Sequence, residues 1–172
     1  MKKILIITVG SFLAINVFNP AGLHAQMSAY KLHSLFVYNF VKNIKWENVG
    51  GEFVIGVYGK AEALREFKDN FSNKNFSGKK FNVKSISEVS EASECQILYI
   101  PRSNLSKTKS MISALKDQNI LVVTEDDLIA EGASISFELI NSKLNFKISK
   151  SKTEDKGLKV SSSLLALGTV VG

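Results

Sequence analysis

The spacing of apolar residues changes from one segment of the chain to the next, and each spacing predicts a different element. Large apolar residues recur at intervals of four near the start: Leu32, Phe36, Phe40 and Ile44. This period is typical of an amphipathic helix, and Ser28 is a candidate N-cap for it. Val37 and Val41 widen the apolar stripe, so we expect this helix to contact neighbours on more than one side.

The middle of the chain alternates between short apolar runs and helical patterns. The apolar runs cover residues 53–58, 95–100 and 120–125, and patterns with helical spacing follow the first two of them. Residues 81–86 instead alternate with a period of two, which predicts a further strand between them. Apolar runs of this length are typical of strands that are covered on both faces. The alternation predicts a single α/β domain, with a mainly parallel sheet and helices on both faces.

The segment 134–149 breaks this alternation and predicts an antiparallel hairpin. With Asn141 and Ser142 as a two-residue turn, each residue before the turn faces one after it. The register then pairs Leu139 with Leu144, Phe137 with Phe146 and Ile135 with Ile148. All of these apolar partners fall on one face of the hairpin, whereas a shift of one residue would divide them between the two faces.

The last thirteen residues, 160–172, contain no charged side chain. The run is shorter than the roughly 20 residues that a membrane-spanning helix needs. Ser161 is a candidate N-cap, and Leu164, Leu167 and Val171 would then share one helical face. The segment is therefore predicted to be a final helix that packs against the sheet, and neither an anchor nor a nucleotide-binding loop.

The first 25 residues have the layout of a secretory signal peptide. Lys2 and Lys3 precede an uncharged run of about 15 residues, and Ala25 stands where a signal peptidase would cut. A retained membrane anchor is the alternative, but the run is short for one. We therefore expect residues 26–172 to form the exported domain, with a periplasmic location.

Charge and cysteine content narrow the classes of function. The formal net charge of +6 includes the two signal lysines and no signal acids, which leaves +4 for residues 26–172. The positive residues are scattered, so a solvated surface is favoured over a nucleic-acid site in an exported protein. Cys95 is the only cysteine. It cannot form an intrachain disulfide and is expected to be a small buried side chain.

Five polar or aromatic residues lie at the carboxyl ends of the predicted strands: Tyr58, Arg102, Ser103, Glu125 and Asp126. Ligands of open α/β sheets bind beyond the carboxyl ends of the strands, so these residues are the candidate site for an unidentified small ligand. The alternative is structural: Arg102 would pair with Asp126 or a neighbouring carboxylate. Asp126 or Asp127 could equally cap a short helix.

Signals of catalysis or of a bound cofactor are weak. After the signal peptide the chain has one histidine, His33, which lies among large apolar residues of the first helix and is a poor candidate for a catalytic triad. One histidine and one cysteine exclude the common zinc sets, and the acids 125–127 lack the spacing of a calcium loop. We therefore expect no enzymatic activity, no metal and no cofactor.

The aromatic residues of the first helix and of the segment after it have two interpretations. They are Phe36, Tyr38, Phe40 and Trp46. As a default they belong to the core. Where part of the helix is exposed, they would instead form an aromatic patch suited to a protein partner.

Five segments in a fixed order resemble the YfiR family of small exported proteins of Gram-negative bacteria. They read LFVYNFVKNIKW, FVIGVYG, CQILYIPRS, ILVVTEDDLIAEGASISFELINSKLNFKIS and GLKVSSSLLALG. The similarity covers about residues 29–168. It implies a fold like one lobe of a periplasmic solute-binding protein. Relatives often contain cysteine pairs that form disulfides, and this chain departs from that pattern.

The resemblance also implies a function. The best-known relatives repress a membrane-bound diguanylate cyclase by binding its periplasmic part, which lowers cyclic di-GMP and restrains biofilm formation. An outer-membrane lipoprotein sequesters the repressor, and relatives can form homodimers. The expectation is therefore a non-enzymatic regulator whose partner is a membrane signalling protein, either a diguanylate cyclase or a sensor kinase. The alternative is a periplasmic carrier or sensor that binds a small molecule at the strand ends.

Overall fold

The computed structural model describes residues 27–47 and 49–172, so the predicted signal peptide lies outside the described residues. The helices are α1 (Ala29–Asn43), α2 (Ala61–Phe71), α3 (Val89–Ala92), α4 (Leu105–Ala114), α5 (Lys150–Glu154) and α6 (Ser162–Leu165). The strands are β1 (Ile44–Lys45), β2 (Phe53–Tyr58), β3 (Asn75–Phe76), β4 (Lys79–Ile86), β5 (Ile97–Ile100), β6 (Leu121–Thr124), β7 (Ile135–Ile140), β8 (Lys143–Ser149), β9 (Lys159–Val160) and β10 (Thr169–Val171).

Eight of these strands form one sheet, in the order β10-β8-β7-β6-β5-β2-β4-β3. The five neighbouring strands β7, β6, β5, β2 and β4 pair in parallel. Strand β8 pairs with β7 in the antiparallel direction. A separate two-stranded ladder pairs β1 with β9. This arrangement confirms the predicted α/β domain with a mainly parallel sheet. None of the helices in the described part of the chain is both long enough and apolar enough to cross a membrane.

The sheet has a hydrophobic core on each face. Alternate residues of β2, β5 and β6 point to opposite sides, as in any strand. One set, which includes Ile55, Tyr99 and Val123, packs against α1 and α2. The other set, which includes Leu98 and Val122, packs against α3 and α4. Burial on both faces explains why these strands are apolar throughout.

Cys95 belongs to the second core and is only 3% exposed, which confirms the prediction of a small buried side chain. Burial raises the pKa of its thiol to about 11, so the thiol stays protonated at neutral pH. The backbone of Gly56 passes close by. A Cβ atom at that position would lie 2.9 Å from the Cys95 sulfur, so this close approach requires glycine.

The hairpin β7-β8 has the predicted register. Leu139 pairs with Leu144, Phe137 with Phe146 and Ile135 with Ile148. The two turn residues, Asn141 and Ser142, both have positive φ angles, of 50° and 60°. This backbone matches the right-handed twist of the two strands and is the preferred geometry of a two-residue hairpin turn.

The C-terminal segment differs from the prediction of one helix through residue 171. Ser161 does cap a helix, and its Oγ accepts a hydrogen bond from the Leu164 N–H at 3.2 Å. The helix α6 ends after one turn, however, and β10 then pairs in parallel with β8. Gly168 allows this path because a Cβ atom there would lie 2.4 Å from the Phe146 ring. Leu167 is 61% exposed and does not face the sheet.

Candidate functional site

Three of the five predicted strand-end residues lie together. Arg102 follows β5, and Glu125 and Asp126 follow the neighbouring strand β6. The Nε of Arg102 donates to Asp126 Oδ1 at 2.6 Å, and its backbone N–H donates to Glu125 Oε2 at 2.8 Å. This hydrogen bond to the Asp126 carboxylate raises the pKa of the Arg102 guanidinium. The structural alternative for Arg102, pairing with Asp126, is therefore confirmed.

The other two strand-end residues lie apart from this group. Tyr58 packs against the core under α3 and α4 and lines a separate depression there with Val89 and Met111. The Ser103 hydroxyl is 3.0 Å from that of Thr108 in α4. The strand ends do share one edge of the sheet, but these side chains occupy different faces of it. The five residues therefore do not form one pocket.

A cleft with a volume of about 470 Å³ lies between α1, the Arg102 group and the hairpin. Its lining residues come from three places. They are Ala29, Leu32 and His33 of α1; Arg102 and Glu125 at the strand ends; and Phe137, Glu138, Leu139, Ser142 and Leu144 of the hairpin. The lining is more apolar than polar, and its charged residues are Arg102, Glu125 and Glu138.

His33 lies at the inner wall of this cleft and is only 4% exposed. Its Nδ1 is 2.7 Å from the Tyr99 hydroxyl, and its ring stacks on Phe137 with centroids 4.4 Å apart. Burial lowers the pKa of His33 to about 4, so the imidazole is neutral at neutral pH. The sequence did not predict the contact with Tyr99, because the two residues are 66 positions apart.

The histidine makes the fold sensitive to acid. The pKa of His33 is about 4 in the folded chain and has its ordinary value of 6.5 in the unfolded chain. Between these two pH values the unfolded chain therefore binds more protons than the folded chain. We expect the free energy of unfolding to fall by about 3 kcal/mol as the pH drops from 7 to 4 on account of His33. Urea denaturation at several pH values measures this loss.

The control for that prediction is His33→Gln, which keeps a hydrogen-bonding group near Tyr99 but does not titrate in this range. The carboxylates contribute equally to the pH dependence of unfolding in both proteins. The difference between the two curves of unfolding free energy against pH therefore isolates the contribution of the imidazole. His33 is the only histidine after residue 25, which removes other imidazole contributions from residues 26–172. Parallel curves for the two proteins would contradict the buried neutral histidine.

Asp127, the remaining acid of the segment 125–127, forms an ion pair, and neither aspartate caps a helix, since residues 125–130 contain none. The Lys147 Nζ lies 2.7 Å from Asp127 Oδ2 and 3.7 Å from Glu138 Oε2. This contact lowers the pKa of Asp127. The pairs connect the loop after β6 to the hairpin and hold one side of the cleft. Within the described residues no group of three or more His, Cys, Asp or Glu side chains could hold a metal ion.

The outer rim of the cleft is unusually apolar. Leu139 and Ile140, at the tip of the hairpin, are 73% and 42% exposed. A second depression of about 260 Å³ adjoins the cleft at Leu144 and extends along α1 to Leu167. We call the continuous surface formed by Leu32, Leu139, Leu144 and Leu167 the hairpin groove. Sequence reasoning missed it, although apolar residues beside a tight turn were a visible signal.

The candidate aromatic patch is largely part of the core. Phe40 is fully buried, so a partner cannot reach it in this conformation. The Trp46 indole N–H donates to the Val41 carbonyl at 2.9 Å, and its ring packs on Phe53. Phe36 and Tyr38 are half-buried. Of these two, only Phe36 lies beside the hairpin groove, because Tyr38 packs against α2 and β4.

Comparison with known proteins identifies a matching family and a solved structure with a similar fold. A family model described as YfiR/HmsC-like matches residues 30–169. A solved structure with a similar fold is a conserved domain protein from Vibrio cholerae O1 biovar eltor, with a TM-score of 0.60 and 15% identity. The alignment covers 84% of this chain and 60% of that one, so this chain spans about three fifths of that protein's length. A search of the curated proteins finds no match.

Proposed function

The chain belongs to the YfiR/HmsC-like family, and from this membership we propose that it is an exported regulator that binds a membrane signalling protein in the periplasm. The proposed partner is the periplasmic part of a diguanylate cyclase. The regulator would bind the inactive state of that enzyme with higher affinity than the active state. Binding would therefore increase the inactive population and lower cyclic di-GMP. In this proposal an outer-membrane lipoprotein sequesters the regulator and so frees the cyclase from it.

The hairpin groove is the observation that most supports a protein partner. Leu139 exposes 73% of its surface and Leu167 exposes 61%, although both are large apolar residues. Single exposed leucines are ordinary, whereas several around one concave surface are typical of protein-binding sites. The groove is also open along one side of α1, which fits an extended or helical segment of a partner better than an enclosed small molecule.

The polar groups around the cleft also favour binding over catalysis. Arg102 is paired with Asp126, and Lys147 is paired with Asp127. His33 is neutral, buried and in contact with Tyr99, a residue whose own pKa is raised by burial. A general acid or base works best with a pKa near the ambient pH, and neither His33 nor Tyr99 meets that condition. These contacts fix the shape of the cleft.

Affinity capture from detergent-solubilised inner membranes tests the proposal. Residues 26–172 serve as bait, and mass spectrometry identifies what they retain. We expect a diguanylate cyclase with a periplasmic domain to be enriched, and its purified periplasmic domain to bind the bait directly. Retention of membrane proteins without any cyclase, or no direct binding by the purified domain, would contradict the proposed partner.

A small ligand in the cleft is the second candidate function. The volume of about 470 Å³, the apolar walls and the presence of Arg102 in the lining are suited to a small molecule with an apolar body and an acidic group. In this case a ligand that raises the melting temperature of the wild-type protein should do so less in Arg102→Ala. An unchanged shift in that variant would remove Arg102 from the site.

A further inference from the structure

A second cavity of about 260 Å³ lies at the opposite end of the sheet, where β5 and β6 begin. Lys156, which follows α5, lines it together with Gln96, Gln118 and Asn119. The Trp46 ring contributes an apolar wall. This cavity shares no residue with the hairpin groove, and the function proposed above does not use it.

Lys156 is the unusual member of this cavity because it is only 5% exposed. Its Nζ donates to the Ile120 carbonyl at 3.1 Å. An ammonium group has three donors, so this contact leaves further donors for another acceptor. Lysine side chains are rarely buried to this extent without a charged partner.

The chain supplies no such partner. None of the ion pairs within 4 Å in the described residues includes Lys156. No acidic side chain occurs among the residues that the structure does not describe, which are 1–26 and Asn48. Burial lowers the pKa of Lys156 to about 8, while Asp117 acts from a distance in the opposite sense. The side chain therefore remains mostly charged at neutral pH, and no carboxylate of the described residues lies within 4 Å of its Nζ.

We propose that this cavity binds a small anion whose carboxylate or phosphate oxygen accepts a hydrogen bond from Lys156. Pairing would offset the cost of a buried charge, and the partly dry surroundings would strengthen the contact. The neighbouring amides can donate to the remaining oxygens of such a group. The inference rests on Lys156 and its surroundings and is independent of the function proposed for the hairpin groove.

Glu47 is the one lining group that opposes an anion. Its carboxylate stands at the cavity, with 55% of the side chain exposed, and lies 3.8 Å from Lys45 Nζ. Solvent and Lys45 screen its charge, so the repulsion should be modest. We expect Glu47→Gln to bind the anion about twofold more tightly than the wild-type protein.

Thermal shift and calorimetry with two probes test the proposal. Residues 26–172 are titrated with sodium phosphate and with sodium succinate in Tris chloride, and sodium chloride of equal ionic strength is the control. We expect a saturable rise in melting temperature with at least one probe, and its loss in Lys156→Met. A response to phosphate alone or to succinate alone identifies the group that is bound.

Three results would overturn the proposal. They are no saturable response to either probe, the same response to sodium chloride, and a response that Lys156→Met retains. Should that variant fail to fold, amide chemical shifts of the wild-type protein replace it. Saturable changes at Ile120 and Gly157 support the cavity, whereas changes confined to other regions refute it.

Discussion

Leu139→Glu is expected to lose capture of the cyclase while it folds as well as the wild-type protein. Leu139 is 73% exposed in the free chain, so a charge at this position removes little buried surface on folding. Burying an unpaired carboxylate against an apolar partner is costly, and central interface residues contribute about 2 kcal/mol or more. We therefore expect affinity for the purified periplasmic domain to fall more than about 30-fold.

Leu105→Glu is the matched control for this variant. Leu105 is 50% exposed at the start of α4, a helix that packs on the other face of the sheet. Both variants exchange an exposed leucine for a glutamate, so they alter the net charge equally, and both remove exposed apolar surface. Calorimetry should give wild-type affinity for Leu105→Glu. Equal affinities for the two variants would remove the hairpin groove as the binding surface.

Deletion of residues 160–172 is expected to unfold the domain. Val160 pairs with Ile44 in the β1-β9 ladder, and Leu164 is 1% exposed in the same core as Phe40 and Phe146. Loss of one buried leucine side chain alone costs about 2–5 kcal/mol. Removal of the whole segment also exposes the ring of Phe146, so the total should approach the 5–15 kcal/mol stability of an ordinary domain.

A shorter deletion, of residues 169–172, separates the two parts of this segment. It removes β10, in which Thr169 and Val170 are exposed, but keeps Leu164 in place. We expect this protein to melt cooperatively with a loss of about 1–2 kcal/mol. Circular dichroism melting distinguishes the two deletions. Cooperative melting of the longer deletion at the wild-type temperature would contradict the role assigned to Leu164.

The sequence predicted well those elements in which the spacing of the apolar residues fits only one type of secondary structure. The apolar strands could only be buried on both faces, and the hairpin register followed from Leu139, Phe137 and Ile135 and their partners. The last segment was harder because Leu164, Leu167 and Val171 fit a helical period equally well. The free edge of β8 decided the outcome there, since it offers a partner to the β-branched residues after Gly168.

The candidate site was predicted only in part, for a similar reason. The rule for strand ends correctly brought Arg102 and Asp126 together, because their strands are neighbours in the sheet. That rule identifies an edge of the sheet but not a face, and Tyr58 points to the face of α4. Contacts such as His33 with Tyr99 depend on packing between distant segments, which no local pattern in the sequence describes.

The level of cyclic di-GMP in a strain that lacks the gene tests the proposed regulation most directly. We expect the intracellular concentration to rise above that of the parent strain. Expression of the wild-type protein should restore the parental level, as should Leu105→Glu, whereas Leu139→Glu should not. An unchanged level in the deletion strain, while the cyclase is present in its membranes, would contradict the account.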